Sequence, residues 1–217
     1  MAVTDPFETH IDEYDAWYDA NEGAYRAELA ALERALPDDP GRAVEIGVGT
    51  GRFAASLDVS LGVDPARSPL ERARKRGVEP IRGVAESLPL ADETIDLAVF
   101  VTVLSFVTDL EATLAETRRV LSTDGTLVVA VLDRSSPVGQ VYQEHKDETI
   151  FYADASFLSA TEACTALEDA GFVVERRLQT VFDDPSELEA SNTGAGKPDV
   201  RTGHGDGLFA VIRAAPA

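Results

Sequence analysis

Nine residues constrain this chain more than any others: Val44-Glu45-Ile46-Gly47-Val48-Gly49-Thr50-Gly51-Arg52. A short strand, Ala43 to Ile46, runs into three glycines at alternate positions, and a helix follows from Gly51 to Leu57. Glycine lets the backbone turn sharply and lets a ligand approach closer than any β-carbon allows. An ordinary strand-to-helix turn needs fewer than three. The loop therefore predicts a ligand site built on a strand–loop–helix unit.

The spacing narrows the ligand. A dinucleotide fingerprint places its third glycine at position 52, where this chain has Arg52. Glu45 beside the loop repels a pyrophosphate and attracts an ammonium group, so an amino-acid moiety suits the pattern better than a phosphate pair. Asp64 ends a second strand, Val59 to Val63, where its carboxylate can accept hydrogen bonds from ribose hydroxyls; the competing reading is a turn aspartate before Pro65.

The rest of the chain alternates strand and helix. Residues 12 to 36 carry apolar positions at helical spacing, and Pro37 to Gly41 break them. Ser68, Pro69 and Glu71 read as an N-cap, first helical residue and capping box, with Gly77 closing that helix. Glu79 to Arg82 is a short strand, and Ile95 to Val101 is an apolar run of the kind that parallel sheets bury on both faces. Thr108 and Glu111 predict a second capping box, opening a helix with the stripe Leu110, Leu114, Thr117 and Leu121. Asp124-Gly125 reads as a turn into the strand Thr126 to Leu132. Ser159 and Glu162 cap a later helix ending at Gly171. Val173 to Leu178 and Leu208 to Ile212 read as closing strands around a polar loop, Asp183 to Gly207. Strands alternating with helices imply right-handed crossovers and a parallel sheet.

Composition limits the partners. The formal charge is −20, and of nineteen basic residues only Lys75, Lys146 and Lys197 are lysines. Such a surface repels phosphates, which argues against direct nucleic-acid binding. It suits a salt-rich cytoplasm, where self-repulsion is screened, and predicts thermal stability that rises with salt. The halophilic reading says nothing of the reaction. No apolar run is long enough to span a bilayer, and the acidic first ten residues do not resemble a signal peptide, so a cytoplasmic protein is expected. Cys164, the single cysteine, reads as a helix packing position. His10, His145 and His204 lack metal-ligand spacing, so no metal is expected.

Glu45 to Gly51 resembles motif I of class I S-adenosylmethionine-dependent methyltransferases, and Gly62-Val63-Asp64-Pro65 resembles their second motif. Gly83 to Leu90 resembles the adenine-binding loop, Thr94-Ile95-Asp96 the fourth-strand motif, and Arg118 to Leu121 with Asp124-Gly125 the helix and turn before strand five. The ordered set covers residues 43 to 132 and is most similar to the type 11 methyltransferase domain group. Two positions depart from it. Val84 stands where many relatives have an aspartate for the adenine amino group, and Thr123-Asp124-Gly125 replaces Pro-Gly-Gly.

The resemblance implies a doubly wound, mostly parallel seven-stranded α/β sheet of Rossmann-like form, with strand seven antiparallel beside strand five. It divides one domain, 1–217, into a helical cover (1–40), a cofactor core (41–132), a lid or substrate region (133–160) and a C-terminal helix with strands (161–217). S-adenosylmethionine would be held by Tyr18, Glu45, Gly47, Gly49, Gly51, Asp64, Pro65, Ala85, Glu86 and Val101. Tyr14 to Asp19 resembles an aromatic helix covering the cofactor, with plain packing on the sheet as the other reading. Ser136 to Tyr152 reads either as a pocket lid or as a solvated loop. From it Tyr142, His145 and Tyr152 are the substrate-site candidates. His145 is the first candidate for a base, and no residue is assigned as catalytic. The implied reaction is in-line methyl transfer to a small-molecule acceptor. A nicotinamide-dependent oxidoreductase and a non-catalytic cofactor-binding protein are the alternatives.

Overall fold

The computed structural model describes residues 5–188 and 197–217. Three helices lead: α1 (Asp5–Thr9), α2 (Ile11–Ala20) and α3 (Glu22–Ala35). The helical stretch 12–36 is thus interrupted at Asn21, whose φ of −116° and ψ of 45° leave the helical region. Its backbone and side-chain amides both donate to the Trp17 carbonyl, at 2.9 and 2.8 Å. The chain continues with β1 (Ala43–Ile46), α4 (Arg52–Ser56), β2 (Leu61–Asp64), α5 (Arg67–Lys75), β3 (Glu79–Arg82) and β4 (Ile95–Val101). Then come α6 (Leu110–Val120), β5 (Leu121–Leu132), α7 (Pro137–His145), α8 (Ala160–Asp169), β6 (Phe172–Thr180), β7 (Arg201–Thr202) and β8 (Phe209–Pro216).

The strands form one sheet in the order β3-β2-β1-β4-β5-β8-β6-β7. Pairing is parallel from β3 through β5, and β8 inserts antiparallel between β5 and β6. The sheet has eight strands rather than the expected seven. The addition is the two-residue β7, which pairs Arg201 with Gln179 and Thr202 with Leu178 at the edge. Two exposed polar residues carry no strand pattern, so the polar segment gave no sign of it. Residues 189–196 of the expected loop lie outside the described residues.

Alternation along the central strands fills two cores. Val99, Val101, Val128 and Ala130 face the side covered by Ala31 and Leu32 of α3. Ala98, Phe100, Val129 and Val131 face the side covered by Leu114 of α6 and Leu167 of α8. Cys164 is buried in that second core, as a packing residue should be. No helix among the described residues is long and apolar enough to cross a membrane.

Two predicted caps are corrected. Helix α5 begins one residue before Ser68, behind Ala66, without a side-chain cap of its own. Glu8 of α1 supplies the acceptor instead, taking the Ser68 amide and hydroxyl at 3.1 Å each. At α6 the N-cap is Asp109, which accepts the Ala112 amide at 2.9 Å, while Thr108 donates to Glu86. The Ser159–Glu162 box forms in full at α8. Asp124-Gly125 lies within β5, where Leu121 opposes Ile95 but Thr126 already opposes Leu97, so the excess residues bulge from the ladder. The 136–152 region is largely helical: Ser136 caps α7 by accepting the Gly139 amide at 3.0 Å, and Pro137 takes the first turn.

Candidate functional site

The first cavity opens where β1, β2 and β4 end, enclosing about 850 Å³ including space open to solvent. Gly47 and Gly49 line it, with φ of +76° and +50°. A β-carbon on Gly47 would collide with Val103 at 2.2 Å, whereas one on Gly49 would meet nothing within 4 Å. The vacant side of Gly49 is therefore room for a ligand against the backbone. Gly51, at φ +74°, serves packing: its β-carbon would press on Ala73 of α5 at 2.9 Å.

Asp64 reaches the same space from the end of β2. Its Oδ2 accepts the Gly49 amide at 2.9 Å and its Oδ1 the Ala66 amide at 2.8 Å. These bonds fix the carboxylate while each oxygen keeps a lone pair for a hydroxyl donor. Burial raises its pKa, opposed by those two amides. Pro65, Ala85, Glu86 and Val101 also line this cavity. The Glu86 carboxylate, however, is held by the amide and hydroxyl of Thr108 at 2.8 and 2.9 Å, and these bonds outweigh burial to keep its pKa low.

Among the described residues, no lysine or arginine lines this cavity, while the carboxylates of Asp64 and Glu86 do. Arg52 is turned away. Its guanidinium pairs with Asp19 at 3.0 Å and with Asp15, and lies 5.4 Å from the Tyr18 ring centre. A pyrophosphate would thus meet negative charge without a counter-ion. The residues fit S-adenosylmethionine better: a backbone cradle at Gly49, fixed acceptors on Asp64 and apolar walls from Val63, Pro65, Ala66 and Val107.

Glu45 does not line the cavity. It is 2% exposed on β1, takes the Ala54 amide, and its Oε2 has no partner. Burial pushes its pKa up to about 8, with Asp64 adding to the rise. The residue expected to draw an ammonium group into the loop is thus sealed within the protein.

A second cavity, of about 1100 Å³ by the same measure, adjoins the first. Phe7, Tyr14, Thr102 and Phe106 line both. Thr102, at the end of β4, takes φ +59°, a strained conformation for a threonine and one that recurs at functional sites. Tyr18, Tyr142, His145 and Tyr152 line the second cavity, which moves Tyr18 from the cofactor set to this one. Burial raises the pKa of Tyr14 to about 12 and pushes Tyr18, Tyr142 and Tyr152 upward, so all four remain protonated hydrogen-bond donors at neutral pH. His145 stands at the exposed rim, bonded to Glu148 at 2.9 Å, which raises its pKa. The pairing favours imidazolium and weakens it as a base.

Helix α2 covers both cavities, and one residue clamps it. Asp15 accepts from Arg76 at 2.9 Å, Arg72 at 3.0 Å and the Thr50 hydroxyl at 2.9 Å. Arg76 also donates to the Thr50 carbonyl at 2.7 Å, joining cover, glycine loop and α5. These arginines hold the Asp15 pKa low against the effect of burial. Sequence reasoning missed Phe7, Asp15, Thr102 and Phe106. Only Asp15 left a trace, as an acid within an aromatic helix.

Strand order and cavity together define a doubly wound α/β protein whose ligand sits on a glycine loop beside a strand-ending aspartate. Residues 44–129 match the family model for a methyltransferase domain. An uncharacterised protein of Methanocaldococcus jannaschii is 38% identical over 208 residues, covering 96% of this chain and 97% of its own. One from Mycobacterium tuberculosis is 38% identical over 188 residues, covering 83% of this chain and 66% of its own. A solved Thermotoga maritima structure, described as a SAM-dependent methyltransferase, possible histamine N-methyltransferase, is 41% identical with a TM-score of 0.92. That match covers 99% of this chain and 100% of the other. This chain belongs to the class I S-adenosylmethionine-dependent methyltransferases.

Proposed function

We propose that the protein transfers a methyl group from S-adenosylmethionine to a small-molecule acceptor held in the second cavity. The observation that carries this reading is the shared wall: the two cavities meet at Phe7, Tyr14, Thr102 and Phe106. In-line transfer needs donor and acceptor to face each other across one opening with water excluded. Bound in the first cavity, S-adenosylmethionine supplies an electrophilic methyl group.

The chain's own part is to bind and orient. Gly47 and Gly49 provide the backbone cradle, Asp64 accepts from ribose hydroxyls, and Gly83 to Glu86 bound the nucleoside end of the cavity. Tyr14 and Thr102 border the opening, and Tyr142 and Tyr152 orient the acceptor through protonated hydroxyls. Positioning of this kind can supply most of the rate for an activated donor. We assign no general base, and His145, at the rim and paired with Glu148, is not well placed to be one. The acidic surface further supports an enzyme of a salt-rich cytoplasm that acts on neither nucleic acid nor membrane.

The test is turnover. Incubated with S-adenosylmethionine and pooled small-molecule acceptors, the protein should form S-adenosylhomocysteine only when acceptors are present. Tight cofactor binding with no product from any pool would favour a non-catalytic binding protein and contradict the proposal.

A further inference from the structure

Asp64 divides the first cavity into two ends. On one side its Oδ2 takes the Gly49 amide at 2.9 Å; on the other its carbonyl takes the Gly83 amide at 3.2 Å. With the ribose at Asp64 and the amino-acid moiety at the glycine loop, the base falls toward the end of β3. The walls there are Gly83, Val84, Ala85 and Glu86, joined by Phe106 and Val107 from the segment after β4.

An adenine brings two kinds of polar group to this end: ring nitrogens that accept hydrogen bonds and a 6-amino group that donates them. The amino group needs an acceptor, and the side chains leave none open. Val84 carries no polar atom. Among the described residues Glu86 is the only carboxylate at this end, and its Oε1 already takes the Thr108 amide and hydroxyl at 2.8 and 2.9 Å. The amides of Asp109 and of Glu86 itself bond the same carboxylate, so its roughly four acceptor sites are all taken. The Val84 carbonyl is occupied too, by the Ser87 amide at 3.2 Å. A donor does remain for a ring nitrogen, because the Ala85 amide bonds nothing among the described residues.

We propose that this site recognises the purine by its shape and ring nitrogens without reading the 6-amino group, and that Val84 is the residue that leaves that group unread. An aspartate at position 84 would add a charged acceptor; valine gives only an apolar wall. The consequence is a site that tolerates nucleosides changed at the 6-position. This rests on the first cavity being the cofactor site.

The experiment is calorimetric titration with S-adenosylhomocysteine and with its 6-deamino analogue, in which hydrogen replaces the amino group and every ring nitrogen is kept. The parent should prefer the amino form by less than ~tenfold, below the scale of one hydrogen bond to a charged acceptor. Position 84 is half-buried, so Val84→Asp should fold and raise the preference for the amino form at least ~tenfold above that of the parent. A parent preference of ~tenfold or more, or a smaller rise in Val84→Asp, would overturn the proposal. Should Val84→Asp fail to fold by circular dichroism, the comparison on the parent protein decides alone. Failure of the parent to bind S-adenosylhomocysteine at all would instead contradict the cofactor site, a separate outcome.

Discussion

The two cavities are built by different means. The first is organised by backbone: a glycine loop at the ends of β1, β2 and β4 and an aspartate fixed by two amides, with apolar side chains as walls. The second is made of side chains from α1, α2, α7 and the turn after it, and the segment after β4, most of them aromatic. Backbone geometry of this kind admits few solutions, because the turn requires glycine and the ribose requires an acceptor at the end of a strand. An aromatic wall can be assembled from many sequences. On the proposed function, that difference suits a donor site set by backbone geometry joined to an acceptor site set by side chains.

The comparison can be broken most sharply at Gly49. A side chain there meets open space rather than protein, so Gly49→Leu should fold, at a cost of about 1–2 kcal/mol for the left-handed backbone. Its side chain would occupy the ligand's place, and S-adenosylhomocysteine affinity should fall at least ~100-fold by calorimetry. Retained affinity would show that the loop does not cradle the ligand.

Asp15 joins the two regions. Breaking a buried ion pair costs about 3–5 kcal/mol, and partial exposure of Arg72 and Arg76 reduces the expected loss for Asp15→Ala to about 2–3 kcal/mol. Urea unfolding should show that loss, together with weaker ligand binding as the cover loosens. An unchanged midpoint would remove Asp15 as the clamp.

Asp64→Ala should weaken S-adenosylhomocysteine binding at least ~tenfold, since hydrogen bonds to a charged acceptor contribute about 1.5–3 kcal/mol each. Trp17 lines the second cavity, and its fluorescence changes caused by acceptor analogues should persist in this variant. Unchanged cofactor affinity would force the second motif to be redrawn.

A further effect is with pH. Glu28, buried on α3, and Glu45 have folded pKa values of about 8, above their ordinary 4.5, so between those limits the native state binds more protons than the unfolded chain. Stability then falls as pH rises through this window, by at most about 1.4 kcal/mol per group per pH unit. Denaturant midpoints at pH 6 and 7 should show the decline, and Glu28→Gln should flatten it. A slope that is identical in the variant would mean that Glu28 is not buried as described.

What was legible in the sequence follows the same division. Strands Ala43–Ile46 and Glu79–Arg82 were readable because each ends at a glycine, and Ile95–Val101 because its run is apolar throughout but for Asp96. Gly47, Gly49 and Asp64 were readable because local geometry dictates their chemistry. Ser68 misled because a good capping residue gave way to a distant one: Glu8, sixty positions away in sequence, fills that role. The role of Glu45 was misjudged because burial depends on α4 packing over it, which no local pattern reveals. Thr102 and Phe106 carry no motif and reach the site only through the sheet's topology. Glu28 resembled any polar residue of an amphipathic helix until the fold turned it inward.

The most direct test of the central claim is a side-by-side calorimetric titration of the parent protein with S-adenosylhomocysteine and with NAD. The account predicts one-site binding of S-adenosylhomocysteine and affinity for NAD at least ~100-fold weaker, because the first cavity presents two carboxylates and no cation to a pyrophosphate. NAD binding as tight as that of S-adenosylhomocysteine, or no binding of the latter, would contradict it.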